Sequence, residues 1–371
     1  MEKAGIMSMQ RICNYGSFLQ AYGLKRIIED LGCKTEFVDY HPGRCLIKQQ
    51  HAPEITMIGK ALDTFRIQAP VGSKMRYISH KKNFGRRYYP MLNMTEAMNY
   101  DTRKDVLVIG SDEVFNCVQS NKRVGFTKEL FGKGSHASKV ISYAASFGNT
   151  NMEKLKEHKI AEMVKNYLLD LDAVSVRDEN SKRIVEVLTG RKPEVHLDPV
   201  LIYDFKEEIP DIETGVPYMI LYGYNGRFTE HECEKIKEYA RRQKLKIYCI
   251  GGVQHGCDKF LDLSPFEVLA YFKHAKCVVT DTFHGCIFSI ISHRRFAAFL
   301  RQDEYGGYGN AEKLGDLLER TNLSQRLVRS TIDLESTLNI PLDTKELDEW
   351  LEGEKRRTKN YLRQQLWGVQ S

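Results

Sequence analysis

The sequence predicts an α/β fold of two Rossmann-like domains with mostly parallel sheets. Strand-like and helix-like runs alternate along the chain, the pattern of βαβ units. The 371 residues exceed what a single core usually organises. The predicted strands also end on small or polar residues, as they do where α/β sheets hold ligands.

In order, NYG (14–16) opens a helix whose Leu24, Ile27, Ile28 and Leu31 share one face, with Gly32 as its stop. Strands follow at TEFVDY (35–40), VLVIGS (106–111), KVISYAAS (139–146) and AVSVR (173–177). After the connector 209–217, a second series runs YMILYGY (218–224), KIYCIGG (246–252), CVVTD (277–281) and FAAFL (296–300). Residues 1–208 are therefore expected to form one domain and 209–342 a second. A helical tail, 343–371, with Leu347, Trp350 and Leu351 in one stripe and Tyr361, Leu362 and Leu366 in another, is expected to pack across both.

Composition narrows the class. The chain is 42% hydrophobic and 28% charged, as in folded soluble domains, and no run approaches the roughly 18 apolar residues of a membrane span. The N-terminus lacks the basic start and apolar core of a secretory signal, so a cytoplasmic protein is expected. Nine cysteines, odd in number and without a CxxC pair, fit reduced thiols rather than disulfides or zinc. A net charge of +6 suits an anionic ligand, and no nucleic-acid motif is present. Segment 74–90 carries Lys74, Arg76, Lys81, Lys82, Arg86 and Arg87 and no acid. It reads either as a solvated helix face or as an electropositive flank for an anionic or lipid-linked substrate.

The chemistry-bearing residues stand at strand ends. The first turn has neither GxGxxG nor GxxxxGK[ST], which removes the simplest support for NAD or P-loop chemistry. Its Asn14, Tyr15 and Gly16 could bind an anion or sugar hydroxyl at a helix start, or merely cap the helix. At the end of VLVIGS, Ser111 and Asp112 stand where an acid could orient a sugar hydroxyl or accept its proton, or where both could serve as N-caps. Ser146 follows a run of small residues. Arg177 could grip a phosphate or pair with an acid. In HLDPVL (196–201), Asp198-Pro199 reads as a turn, with His196 a weaker candidate. In CVVTDTFHGCI (277–287), His284 falls on the lip of a sheet beside Gly285, an unusual place for a simply buried histidine.

The ordered set NYGSFLQAYGLKRIIEDLG, VLVIGSDEVFN, VISYAASFG, VSVRDENS, HLDPVLIY and TDTFHGCIFSIISHRRFAAF, with a weaker echo in AEKLGDLLERTNLSQRL, resembles the polysaccharide pyruvyl transferase family. The resemblance implies Rossmann-like domains facing across a cleft, as in GT-B glycosyltransferases. It also implies transfer of pyruvate from phosphoenolpyruvate to sugar hydroxyls in surface-polysaccharide or exopolysaccharide biosynthesis, leaving a ketal and phosphate. Phosphoenolpyruvate would be a co-substrate, with no further cofactor and no metal. By this resemblance His284 is the catalytic residue, in a phosphate-binding or acid/base role. Thr282, Gly285 and Arg295 of the second domain, with Arg177 of the first, join it in binding the donor phosphate. Asn14, Tyr15, Gly16, Ser111, Asp112 and Ser146 line the acceptor side, in the first. The acceptor would be a sugar or a lipid-linked oligosaccharide, which leaves room for peripheral contact with the inner face of the membrane.

One departure stands out: many relatives carry a basic residue where this chain has Thr282. Arg294, Arg295, Arg301 and Lys313 are the candidates to supply that charge. Two alternatives are a GT-B glycosyltransferase using a nucleotide sugar, held by GYN (223–225) or GGVQHG (251–256), and a non-catalytic glycan-binding member.

Overall fold

A computed structural model describes residues 3–47, 57–301 and 311–368 of the protein. The first sheet comprises β1 (Lys3–Met7), β2 (Lys34–Phe37), β3 (Val106–Asp112), β4 (Lys139–Ala145), β5 (Ser175–Val176) and β6 (Glu194–Val195), in the order β2-β1-β3-β4-β5-β6. The second comprises β7 (Tyr218–Tyr222), β8 (Lys246–Ile250), β9 (Lys259–Phe260), β10 (Val278–Thr280), β11 (Phe296–Phe299) and β12 (Leu327–Val328), in the order β12-β11-β10-β7-β8-β9. Every pairing in both sheets is parallel. Helices cover both faces of such sheets, which is why β3, β7 and β11 are near-continuous apolar runs with buried side chains.

The expected α/β architecture with two parallel sheets is present, and the sheets form a GT-B-like pair. Only the second has the Rossmann strand order; the first is wound in the flavodoxin-like order. In each sheet the winding reverses between two neighbouring strands, β1 and β3 in the first and β7 and β10 in the second. The crevices beyond the carboxyl ends of those strands are where open α/β sheets accept ligands. Strand β1 and the two-residue edge strands β6, β9 and β12 have no counterpart in the sequence expectation.

The halves are braced by exchanged helices. The Val71–Tyr88 helix belongs to the first half by sequence but packs against the second sheet. Its Ser73 hydroxyl accepts the Phe260 N–H at 2.9 Å, His80 meets Asp262 at 2.7 Å, and the Tyr88 hydroxyl donates to the Leu263 carbonyl at 2.8 Å. In return the Lys345–Trp367 helix packs on the first sheet. Its Tyr361 hydroxyl donates to the Ser142 carbonyl at 2.8 Å and the Trp367 indole to the Leu31 carbonyl at 3.1 Å. Residues 369–371 of the expected tail lie outside the described residues. No helix among the described residues is long and apolar enough to cross a membrane.

Candidate functional site at facing helix starts

Two helices begin at the crevices and point their N-termini into one cleft. After β1 the chain turns at Asn14, whose side-chain oxygen accepts the Ser17 N–H at 2.7 Å and caps the Tyr15–Asp30 helix. After β10 it turns at Thr282, whose hydroxyl accepts the Gly285 N–H at 2.9 Å and caps the Phe283–Ile291 helix. The unpaired N–H groups and dipoles of helix starts favour anions. The two turns touch: a Cβ on Gly16 would lie 2.3 Å from Nδ1 of His284, so only glycine lets the imidazole rest there. Gly285 is equally confined, since a Cβ would lie 2.1 Å from the Thr280 hydroxyl.

Behind His284 runs a buried chain of charges. Its Nε2 lies 3.5 Å from Oδ2 of Asp198, and the same oxygen accepts a hydrogen bond from Arg177 at 2.9 Å. Arg177 also lies 3.5 Å from Asp112, which accepts a hydrogen bond from the Ser17 hydroxyl at 3.1 Å. The guanidinium stacks on Phe283, 4.3 Å from its centroid. Burial would raise the Asp198 pKa, but the charges of His284 and Arg177 and the Val200 N–H overcome it and hold the carboxyl at about 2. Burial likewise works against the charge of Arg177, and Asp112 and Asp198 outweigh it, so its pKa is raised. Asp198 is thus a permanent anion placed to hold the imidazole in position.

The cleft has a volume of about 990 Å³ and is lined from both sheets. Asn14, Tyr15, Gly16, Asp112, Arg177, Thr282 and His284 line it, so seven predicted residues meet in one place. The roles differ in detail. The Tyr15 hydroxyl points away, donating to the Leu263 carbonyl at 2.9 Å, and Arg177 is already neutralised by its two carboxylates.

Four predicted residues are not in the cleft lining. Ser111 is buried behind Asp112, its hydroxyl within 3.4 Å of Asp198. Ser146 is buried and donates to Asp178 at 2.5 Å, tying β4 to the cap of the Glu179–Thr189 helix. Gly285 acts through its backbone in the Thr282 cap. Arg295 corrects an expectation most clearly: it precedes β11, at the end of the strand opposite the cleft.

Of the four cations considered as replacements near Thr282, Lys313 lines the cleft, where it pairs with Glu113 from the first half. Arg301 is held by Asp281 at 3.0 Å and by Glu232 at 2.6 Å. Sequence reasoning missed Asp198 as a partner of His284, because Asp-Pro reads as a turn. It also did not assign Lys154 to the cleft, where the ammonium donates to the Asn149 carbonyl at 2.9 Å. Lys81 lines the cleft too, donating to the Cys13 carbonyl at 2.5 Å; its signal was the acid-free segment 74–90. Among the described residues, no group of three His, Cys, Asp or Glu side chains is placed to hold a metal.

Solved structures similar to the chain include three sugar-active proteins. The putative UDP-N-acetylglucosamine 2-epimerase of Listeria monocytogenes shares 10% identity at a TM-score of 0.46, over 100% of this chain and 97% of that one. The glycosyltransferase SnogD of Streptomyces nogalater shares 10% at 0.43, over 96% and 95%. A Thermobaculum terrenum O-GlcNAc transferase mutant shares 12% at 0.41, and the chain, covered to 99%, spans only 65% of its length. No curated protein sequence matches. The profile of the polysaccharide pyruvyl transferase family matches residues 14–303, from the cap of the first cleft helix to beyond β11, and the chain belongs to that family.

Proposed function

We propose that the protein transfers pyruvate from phosphoenolpyruvate to two hydroxyls of a sugar in polysaccharide assembly, leaving a cyclic ketal and inorganic phosphate. The observation that carries this reading is His284, held over Gly16 between two helix starts and backed by the buried Asp198 anion.

The donor brings a phosphate and a carboxylate, which suit helix-start N–H groups and the ammonium groups of Lys81 and Lys313. Protonated His284 gives its proton to the methylene carbon, which becomes a methyl group as the C=C π electrons take the proton. The first sugar hydroxyl bonds to the central carbon and loses its proton, restoring the imidazolium. The bond from that carbon to the phosphate oxygen then breaks, and phosphate leaves with the electron pair. The second hydroxyl bonds to the same carbon, and its proton departs with phosphate. Asp198 stays ionised throughout and acts as a positioning residue.

The test is purified protein with phosphoenolpyruvate and a panel of sugars and lipid-linked oligosaccharides. Phosphate release should depend on an acceptor, and the product should gain the mass of one pyruvate less one water. Phosphate release independent of every acceptor, or glycosyl transfer from a nucleotide sugar instead, would overturn the proposal.

A further inference from the structure

The Met57–Arg66 and Val71–Tyr88 helices leave a group of large apolar side chains in solvent. Leu62 is 58% exposed, Phe65 43%, Val71 64% and Met75 55%. Single exposed apolar residues are ordinary, but a cluster on one short stretch marks an interaction surface. Leu62 and Phe65 are three apart and Val71 and Met75 four apart, so each pair shares a helix face. Lys74 ties the helices together, donating to the Phe65 carbonyl at 2.9 Å with its ammonium 5.8 Å from the Phe65 ring centroid.

The second helix buries Ser73, His80, Phe84 and Tyr88. Arg76, Lys82 and Arg86 are exposed and have no ion-pair partner among the described residues. Lys82 and Arg86 continue the Val71 and Met75 side at helical spacing. The face therefore begins apolar and becomes cationic. An acidic protein would be met by the cations alone and would leave the apolar end in water. A bilayer meets both, because apolar side chains enter the boundary of the acyl region while cations remain among anionic headgroups.

We infer that this face seats the protein on an anionic lipid bilayer. Lys81, adjacent to Lys82, reaches the cleft from the same helix, so the docked face borders the mouth of the site. An acceptor carried on a lipid would then be presented to the cleft from the membrane plane, a consequence that rests on the pyruvyl-transfer reading; the docking itself does not.

The test sediments the full chain with vesicles of phosphatidylcholine alone or mixed with phosphatidylglycerol, at low and high salt. Two double variants, Phe65→Ser with Met75→Ser and Lys82→Glu with Arg86→Glu, are checked for native circular dichroism. Wild type should bind the anionic vesicles, less so at high salt, and each double variant should weaken binding about tenfold or more. Absence of wild-type binding, or binding indifferent to lipid charge and to both variants, overturns the inference. So does a concentration-dependent dimer, abolished by Phe65→Ser with Met75→Ser, in a protein that ignores vesicles. Turnover plays no part in this readout, so failure of the docking and failure of the transferase reading are separable.

Discussion

Replacing Gly16 with alanine tests whether the touching turns matter to chemistry. The new methyl would start 2.3 Å from Nδ1 of His284 and 2.4 Å from Cγ, whereas ordinary contact begins at 3.4 Å. The imidazole must therefore retreat by about 1 Å, a displacement that typically costs about a hundredfold in rate when it misplaces a reacting group. Stability should change little. Alanine gains up to about 1 kcal/mol of helix propensity over glycine, against an overpacking cost of about 1–3 kcal/mol. The measurement is kcat from acceptor-dependent phosphate release, alongside a denaturant titration of each protein. A fall of about a hundredfold with a near-normal unfolding midpoint is expected. Wild-type kcat in a variant whose His284 has moved would refute the reasoning.

Other outcomes follow from the same geometry. His284→Asn should lower kcat at least about a hundredfold while leaving the fold intact; near-normal turnover would remove it as acid/base. Asp198→Asn leaves Arg177 without its closest counter-charge and should cost about 3–5 kcal/mol in unfolding free energy, so a loss under 1 kcal/mol would contradict the buried network. Because the Asp198 pKa is about 2 when folded, below its unfolded value of about 3.9, its contribution of roughly 2–3 kcal/mol is complete above about pH 5. That contribution disappears as pH falls toward 2, and acid titration of wild type against Asp198→Asn should show the difference. Lys81→Met and Lys313→Met should each weaken phosphoenolpyruvate binding about tenfold in calorimetry, and unchanged affinity would place the donor elsewhere. Turnover should survive excess EDTA; its loss and rescue by a divalent cation would show a metal requirement.

Apart from β1, the longer strands and the two cleft helices were legible because their signals are local. An apolar run such as VLVIGS, bounded by small and polar residues, has the pattern of a strand covered on both faces, Asn14 stands where a helix starts, and the apolar run CIFSIISH marks the second helix. The two-residue strands β6, β9 and β12 carry no periodicity and exist because a neighbouring strand supplies their hydrogen bonds. The order of the first sheet was illegible for the same reason: it depends on which strands meet, and no local pattern records that. At the site, His284 was visible as a histidine on a sheet lip. Its partner Asp198 was hidden because the dipeptide Asp-Pro has a sufficient local explanation in the cap it forms for the Pro199–Ile202 helix. Arg295 misled in the opposite way. It lies close to His284 in sequence, yet the intervening helix carries the chain the length of the strand to the far edge of the sheet.

The exchanged helices have a consequence for how the protein must be made. Tyr361, Leu362 and Leu366 are buried against the first sheet but belong to the last helix, so that sheet has emerged long before its cover is translated. During synthesis the early half must wait with apolar surface open to water, the condition under which nascent chains aggregate or engage chaperones. Severing the chain between the sheets would make that wait permanent. The first half, although it has its own sheet, is completed only once the Lys345–Trp367 helix has been made.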